Sequence, residues 1–359
     1  MVTPVKFGII GGGWRSLFFL RIAQALPERF RVGGMLLRNP EKGQALAVEW
    51  NVPVFTSLDE LLAVPDLQFV VVSVPWRVAP EYLRQLTERG IPVLCETPPA
   101  PDLAGLLSLQ PLIDAGAKIQ VAEQYLFQPL HATRIALARS GKLGTISQVQ
   151  LSVVHGYHGI SLIRQLLGIQ FENATISARA HITPLVVGTD KNGNPPAREQ
   201  IQPSRQVIAT LEFGDKFAIY DFAGEQYHSW IRAPRVLIRG ERGEITDTHL
   251  RYLQDFQTPL MLELQRQDTG HYGNLEGYYH RGIIVGDTWL YRNPFPFARF
   301  NDDEIAVATS LARMADYVAG GPDFYSLAEA AQDHYLSLLI DQACNSGETI
   351  RSETQSWAF

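Results

Sequence analysis

The feature that most constrains the fold is a glycine cluster that directly follows a short apolar stretch near the start of the chain. Residues 5–10 (VKFGII) read as a buried strand, three glycines occupy positions 11–13, and a helical pattern of apolar residues comes next. Strand, tight glycine turn and helix form the context in which such a cluster binds a dinucleotide. Gly11 would permit the sharp turn, and Gly13 would let the backbone approach a pyrophosphate at the helix N-terminus. The third small position is Ser16, which still allows the helix to pack closely on the strand.

Strand-like and helix-like segments continue to alternate as far as residue 122. A glycine turn alone can be purely structural, but this alternation favours a dinucleotide site. It predicts a doubly wound parallel sheet, in which ligands bind outside the carboxyl ends of the strands. The later strands are predicted at 31–37, 52–55, 69–73, 93–96 and 118–122, and one of the intervening helices is predicted to run unbroken from Asp102 to near Gly116.

The strand ends supply the predicted cofactor site. An Asp or Glu about 20 residues beyond the glycine turn usually bonds the ribose hydroxyls of NAD. Leu37 stands there and Arg38 follows, so a 2′-phosphate could be held without repulsion from a carboxylate. This favours NADP(H), with NAD(H) possible, unless Arg38 is only an exposed turn residue. The candidate cofactor-binding residues are Gly11, Gly13, Trp14, Arg15, Ser16, Arg38, Ser73, Val74, Pro75, Glu96 and Gln124.

Composition argues against several classes of partner. The chain has 359 residues, 46% of them hydrophobic, which is enough to build the cores of two domains. A formal net charge of −6 without a cluster of Lys and Arg argues against nucleic acid or an anionic membrane. No apolar run approaches the roughly 18 residues of a membrane span. Cys95 and Cys344 are far apart and fit neither a metal site nor a disulfide framework, which is typical of a reducing compartment and predicts a cytoplasmic protein.

The second half of the chain predicts a different architecture. Strand-like runs separated by glycine turns indicate an α+β domain with a mostly antiparallel, open sheet. Residues 184–203, rich in Gly, Pro and Asn, read as an exposed loop. The predicted domains are therefore 1–123 for dinucleotide binding and 124–359 for substrate binding and oligomerisation. The strands are predicted at 148–154, 174–181, 206–213, 216–221, 235–239 and 244–246, and the helices at 129–140, 302–318 and 326–347.

Ring side chains concentrate where a strand of the second half meets a helix. His155, Tyr157 and His158 follow the predicted strand 148–154 and lie beside the presumed cleft. The dipole of the helix would lower the pKa of His158 and favour the neutral form, which accepts a proton. We predict His158 as the acid/base, with Tyr157, His155 or Tyr125 assisting. The alternative is that these rings only satisfy backbone groups at the junction.

These stretches together resemble the glucose–fructose oxidoreductase / inositol dehydrogenase / rhizopine catabolism (Gfo/Idh/MocA) superfamily. The glycine turn, residues 38–42 (RNPEK), residues 57–62 (SLDELL) and residues 93–100 (VLCETPPA) carry the resemblance. It implies a Rossmann domain followed by a mostly antiparallel α/β domain, with a nicotinamide cofactor between them. The implied reaction is oxidation of a sugar or cyclitol hydroxyl, or reduction of the ketone. It also implies that copies of the chain pair through the open face of the second sheet.

The chain departs from this family at three catalytic positions. Thr97 stands where the family has the lysine of Glu-Lys-Pro, and a threonine hydroxyl can donate a hydrogen bond but cannot exchange protons at neutral pH. Val154 replaces the usual Asp, and Ser161 the later Asp or His, whereas His158 matches. Thr97 stays among the candidate catalytic residues.

Three functions remain open on this evidence. The favoured one is an NAD(P)-dependent oxidoreductase that acts on a sugar-like or small carbonyl or hydroxyl substrate, with no metal. The second is a nucleotide-binding lyase or hydrolase with transient redox or none. The third is a non-catalytic nucleotide-binding regulatory protein. Three aromatic clusters could line a substrate pocket or an interface between copies: Tyr227–Trp230, Gly270–Tyr272 and Tyr278–Arg281.

Overall fold

The computed structural model describes residues 4–270 and 272–359. The first part of the chain forms a six-stranded sheet in which all neighbouring strands are parallel. Its strands are β1 (Val5–Ile10), β2 (Phe30–Leu36), β3 (Val54–Phe55), β4 (Phe69–Val72), β5 (Val93–Cys95) and β6 (Ile119–Val121). Their order, β3-β2-β1-β4-β5-β6, confirms the predicted doubly wound sheet.

Helices connect these strands. They are α1 (Trp14–Ala25), α2 (Pro40–Trp50), α3 (Leu58–Leu62), α4 (Ala79–Glu88), α5 (Leu103–Leu107) and α6 (Gln110–Asp114). The prediction of one unbroken helix from Asp102 to Gly116 is wrong, because α5 and α6 are separate. Pro111 has no backbone N–H to donate to the carbonyl of Leu107, so the helix cannot continue through it. Asp102 does cap α5 as predicted, since its carboxylate accepts a hydrogen bond from Gly105 N at 2.8 Å.

The apolar run of β4 explains why the sheet is covered on both sides. Every residue of β4 is buried, and alternate residues pack into different clusters of the core. Val70 and Val72 face one layer, and Phe69 and Val71 face the other. This is the pattern expected of a central parallel strand between two layers of helices.

The second part of the chain forms an eleven-stranded sheet with order β16-β15-β14-β13-β12-β11-β7-β10-β9-β8-β17. The pair β7–β10 is parallel and the other pairs are antiparallel, which confirms the predicted mostly antiparallel sheet. The elements in chain order are α7 (Pro129–Arg139), β7 (Ile146–Ser152), α8 (Gly156–Leu167), β8 (Thr175–Val186), β9 (Ile201–Phe213), β10 (Lys216–Ala223), β11 (Arg235–Gly240), β12 (Gly243–Thr246), β13 (His249–Leu253), β14 (Pro259–Thr269), β15 (Tyr279–Val285), β16 (Thr288–Arg292), α9 (Asp302–Val318), α10 (Leu327–Ser346) and β17 (Ile350–Arg351). Short 3₁₀ helices occupy Gln124–Phe127, Gly224–Tyr227 and Ser356–Ala358.

The predictions for this sheet are incomplete in two respects. The predicted loop 184–203 is shorter in the structure, because its two ends, 184–186 and 201–203, belong to β8 and β9, which pair as far as Val186 and Ile201. Pro184 and Pro203 face each other in this ladder. The pairing of β8 with β17 and that of β9 with β10 do not extend to these two residues. Their missing N–H groups therefore break no hydrogen bond to β17 or β10. In addition, the four strands β13 to β16 were not predicted.

Helices α8 and α10 pack against each other through a buried ion pair. Arg164 of α8 lies 2.6 Å from Asp333 of α10, and Tyr325 donates a hydrogen bond to the same carboxylate. This contact fixes the last turn of α8 relative to the first half of α10, and both helices contribute to the cavities described below. In the described part of the chain, no helix combines the length and the apolarity needed to cross a membrane.

Candidate active site

A cavity of about 690 Å³ lies at the carboxyl ends of the parallel strands and reaches the start of α8. We call it the cleft. The predicted site residues that line it are Gly11, Gly13, Trp14, Arg15, Arg38, Ser73, Val74, Pro75, Glu96, Thr97, His155, Tyr157 and His158. The structure therefore brings residues from both halves of the chain to one cavity. Ser16, Gln124 and Tyr125 are not part of its lining.

The glycine turn forms an open cradle at the start of α1. Gly11 has φ of +113°, and a Cβ there would lie 2.0 Å from the carbonyl oxygen of Ser73, so only glycine fits. Gly13 is the N-cap of α1, with no capping side chain and no atom within 4 Å of an added Cβ. The first turn of α1 carries no acidic residue. Free N–H groups at an uncapped helix N-terminus with open space in front suit a pyrophosphate.

Ser16 and Gln124 are buried behind the residues that line the cleft. Ser16 is fully buried, and its hydroxyl donates to Ser73 Oγ at 3.1 Å, which ties α1 to the end of β4. The Gln124 amide is also buried, and its Oε1 accepts from Arg15 at 2.9 Å when its Nε2 donates to the carbonyl of Ala122. The predicted contact of Gln124 with a nicotinamide thus has no support from its position.

Two cations lie where the ribose-binding carboxylate is usual. Arg38 is exposed and lines the cleft after β2, and Lys42 of α2, which was not predicted, lines it as well. Leu37 is buried, and a Cβ on Gly12 would lie 2.5 Å from its side chain. Among the described residues that line the cleft, the single carboxylate is Glu96. This arrangement is suited to a phosphate on the ribose rather than to two free hydroxyls.

His158 is paired with a buried carboxylate. Its Nδ1 lies 2.6 Å from Glu123 Oε2, and both side chains are almost fully buried. Burial and the nearby Arg15 lower the pKa of His158 to about 3, so the imidazole is neutral at neutral pH as predicted, although burial rather than the helix dipole is the main cause. Burial raises the pKa of Glu123 to about 8. Burial thus favours the uncharged form of both members of the pair.

Arg15 is the cation at the centre of these acidic groups. Its Nε lies 3.8 Å from Glu96, and its guanidinium packs over the rings of Trp14 at 4.8 Å and Phe18 at 4.9 Å. Burial raises the pKa of Glu96 to about 7, and Arg15 opposes this shift. The Nη1 atom of Arg15 is buried and has no hydrogen-bond partner among the described residues. A positive charge is thus present at this end of the cleft.

Three aromatic rings contact that of His158, and two more pack against those three. The ring centroids of Tyr157, Tyr125 and His155 lie 4.4, 4.7 and 5.1 Å from its own. His155 Nδ1 is 2.6 Å from the hydroxyl of Tyr227, which also bonds Tyr125. Thr97 hydrogen-bonds the phenol of Tyr157. His334 of α10 packs edge-on against Tyr157 at 5.5 Å.

Three contributors to this region were missed or only partly foreseen. Glu123 was not predicted as the partner of His158, and Tyr227 was assigned only to an aromatic cluster. His334 was not singled out, although an adjacent Asp333 and His334 on an apolar helix are a signal of buried polar contacts. Of the other clusters, His280 is buried against Asp268 at 2.9 Å outside the cleft, Tyr272 is fully exposed, and His271 lies outside the described residues. Within residues 4–270 and 272–359, no three His, Cys, Asp or Glu side chains gather as a metal site.

Comparison with known proteins places the first third of the chain in a known group. Residues 5–123 match the Gfo/Idh/MocA family model, described as an oxidoreductase family with an NAD-binding Rossmann fold. An uncharacterized oxidoreductase of Schizosaccharomyces pombe is 30% identical over 153 residues, 42% of each chain. An inositol 2-dehydrogenase of Corynebacterium glutamicum is 29% identical over 163 residues, 44% of this chain and 46% of that protein. The aligned stretches thus span less than half of these relatives.

The likeness of the folds extends over nearly the whole chain. A solved levoglucosan dehydrogenase in complex with NADH superposes with a TM-score of 0.70 and covers 98% of this chain and 100% of its own. Its sequence identity of 14% supports a common fold and nothing more.

Proposed function

We propose that this chain, whose residues 5–123 match the Gfo/Idh/MocA family model, interconverts a hydroxyl and a carbonyl group of a sugar-like substrate with a nicotinamide dinucleotide, NADP(H) in preference to NAD(H). The observation that carries this proposal is the Glu123–His158 pair, whose histidine lines the same cleft as the glycine turn. A purely nucleotide-binding protein has no need of a buried acid–imidazole pair at that place.

The residues of the cleft fit a dinucleotide. Gly11 permits the sharp turn, Gly13 leaves open space for a pyrophosphate, and the N–H groups of the first turn of α1 would bind it. Arg38 and Lys42 would bind a 2′-phosphate, and Ser73 to Pro75 would contact the cofactor at the end of β4. When bound, the nicotinamide would accept a hydride from the carbinol carbon or donate one to the carbonyl carbon.

His158 would move the proton that accompanies the hydride. Because Nδ1 is engaged by Glu123, Nε2 is the ring nitrogen left for the substrate oxygen. When Glu123 is ionised it accepts the Nδ1–H, and the lone pair of Nε2 can take the proton of a substrate hydroxyl. When Glu123 is protonated it donates to Nδ1, and Nε2–H can give its proton to a carbonyl oxygen while the Glu123 proton passes to Nδ1, so that the ring stays neutral and Glu123 becomes a carboxylate. The protonation state of Glu123 thereby sets the direction in which His158 works.

Tyr157 and Arg15 would compensate for the missing lysine. Burial raises the pKa of Tyr157, so its phenol stays protonated and can donate a hydrogen bond to the substrate oxygen. Thr97 bonds this phenol and would orient it. Arg15 supplies positive charge near Glu96 and Glu123, which would stabilise negative charge that develops on the substrate. His155, kept neutral because burial lowers its pKa to about 4, would position Tyr227 and the neighbouring rings.

The test begins with calorimetric titration of NADPH and NADH into the purified protein, after denaturation of a sample to detect nucleotide already bound. Sugars, cyclitols and their ketones are then added to the protein with NADP+ or NADPH, while nicotinamide absorbance and product formation are followed. We expect net absorbance change with product, and a loss of about 100-fold or more in kcat for His158→Asn with NADPH binding retained. Product without net absorbance change favours a transient-redox lyase or hydrolase. Nucleotide binding with no product favours a regulatory protein.

Pairing of copies through the open face of the eleven-stranded sheet stays a prediction. Light scattering of the purified chain measures its molar mass and so tests whether copies associate.

A further inference from the structure

A second cavity, which we call the side cavity, adjoins the cleft. It has a volume of about 360 Å³, and Trp76, His155 and Tyr157 line both cavities. Its other walls come from β9, β10 and α10. A ligand whose reacting carbon lies beside His158 therefore has room to extend past these three rings.

His334, which lines this cavity, has a ring nitrogen without a hydrogen-bond partner among the described residues. Its Nε2 lies 3.1 Å from the carbonyl oxygen of Pro101, which can only accept, so Nε2 carries the proton and Nδ1 does not. The residue is only 5% exposed, and Nδ1 is buried with no partner in the part of the chain that the structure describes. A buried polar atom without a partner destabilises the protein, and a ligand hydroxyl would satisfy it.

Further polar groups of the side cavity are also uncommitted. Ser337 lies one turn after His334 on α10, is buried, and makes no hydrogen bond through its hydroxyl to any described residue. Arg205 of β9 and Asp341 of α10 are exposed at the cavity and form no ion pair among the residues described. The cavity thus offers donors and acceptors with balanced charge, which suits a neutral polyol better than an anion.

Trp76 stands at the boundary between the two cavities. Its ring packs edge-on against Tyr157 at 6.3 Å and against His334 at 6.4 Å, yet 46% of the residue is exposed. An exposed indole face beside unused hydroxyl-binding groups is suited to the apolar face of a sugar ring.

Resting on the proposed function, we propose that the side cavity binds a second sugar ring, so that the substrate is a disaccharide or a comparable two-ring glycoside rather than a free monosaccharide. The ring that reacts lies in the cleft beside His158. The other ring passes Trp76 and places its hydroxyls against His334, Ser337, Arg205 and Asp341. A cavity of 360 Å³ lies at the lower end of the range for small-molecule pockets, which suits one additional ring and not a longer chain.

The experiment compares one-ring and two-ring sugars on the NADP+-saturated protein. Glucose and galactose are titrated by calorimetry beside maltose, cellobiose and lactose, and kcat/KM is measured for each. We expect at least one disaccharide to bind about tenfold or more tightly than its component hexoses, since several added hydrogen bonds include charged partners. Arg205→Ala and Asp341→Ala should each reduce this preference about tenfold. Arg198→Ala, an exposed arginine at the tip of the same β8–β9 hairpin, is the matched control and should not change it.

A filling variant gives an independent measurement. Ser337→Phe should remove the preference for two rings, and Ser346→Phe, at the exposed end of the same helix, should retain it; circular dichroism checks that both fold. Equal affinity for one-ring and two-ring sugars, or a preference that Arg205→Ala and Asp341→Ala leave unchanged, overturns the inference. Turnover of hexoses in that case leaves the proposed function standing. Failure of the protein to bind either nucleotide, with no bound nucleotide released on denaturation, overturns the proposed function itself.

Discussion

The Nδ1 atom of His158 lies 2.6 Å from Glu123 Oε2, although 35 residues separate the two in the chain. The contact joins the end of the parallel sheet to the first turn of α8, so it forms only when the two halves of the chain pack together. Both side chains are almost completely buried. A single carboxyl group therefore controls which nitrogen of the imidazole carries a proton, and the predictions on pH dependence follow from this pair.

Oxidation and reduction should respond to pH in opposite directions. Burial raises the pKa of Glu123 to about 8. Above that pH the carboxylate accepts Nδ1–H and leaves Nε2 free to act as a base, so kcat for hydroxyl oxidation should rise through about pH 8. Below it the protonated pair supplies an acid, so kcat for ketone reduction should fall as pH rises through the same range. Rates measured in both directions at constant ionic strength check this, and parallel profiles would contradict it.

Glu123→Gln should remove this pH dependence. The amide has nearly the same shape but cannot change its charge, so the step near pH 8 disappears and kcat for oxidation falls by a factor of about 10² to 10⁴. NADPH affinity, measured by calorimetry, should change little because Glu123 does not line the cleft. Glu88→Gln, on the exposed side of α4, is the control with a normal profile. Retention of the step in Glu123→Gln would show that another group titrates there.

The parts of the site that depend on local sequence were predictable, and those that depend on tertiary contacts were not. Gly11 was identified because a strand, a turn and a helix are consecutive in the chain. The pairing of Glu123 with His158 requires the relative position of β6 and α8, which no local pattern encodes. Lys42 follows Arg38 closely in the chain, but Arg38 precedes α2 and only the structure shows that both reach the cleft.

The missed strands have a related explanation. The residues of β14 are mostly exposed or half-buried, with Leu264 alone fully buried, because this part of the sheet has little core on either side. Without one buried face, the alternation of apolar and polar residues that marks a strand is weak. By contrast, β4 is buried throughout and was predicted correctly.

Two glycine substitutions should separate folding from cofactor binding. Gly11→Ala forces a Cβ to within 2.0 Å of Ser73 O at a positive φ, so it should lower the free energy of unfolding by about 3 kcal/mol or more. Gly13→Ala meets no atom within 4 Å and has an extended backbone, so it should cost about 1 kcal/mol or less. Its methyl group lies in the space assigned to the pyrophosphate, so NADPH affinity should fall about tenfold. Urea unfolding and calorimetry check both, and normal NADPH affinity in Gly13→Ala would contradict the assignment.

Arg38 and Lys42 should determine the choice between the two nucleotides. Arg38→Ala and Lys42→Ala each remove a cation from the cleft, so each should weaken NADPH binding about 10- to 100-fold, since a charge-assisted bond to phosphate is lost. NADH binding should change less than about threefold because NADH lacks that phosphate. Arg31→Ala, an exposed arginine on β2 outside the cleft, is the control. Equal losses for NADPH and NADH would show that these residues do not contact the 2′-phosphate.

Removal of one partner of the ion pair between α8 and α10 should strongly destabilise the protein. Asp333→Ala leaves the Arg164 guanidinium buried without its carboxylate, 2.6 Å away in the native protein, and also removes the acceptor of the Tyr325 hydroxyl. Loss of one partner of such a buried pair lowers the free energy of unfolding by about 3 to 5 kcal/mol. Asp302→Ala breaks the partly exposed pair with Arg266, which should cost about 1 kcal/mol or less. Urea unfolding of both variants measures the difference. Similar losses in free energy of unfolding would contradict the prediction. They would mean that the bonds of Arg164 to the carbonyls of Gln170 and Glu329 are enough to compensate its charge.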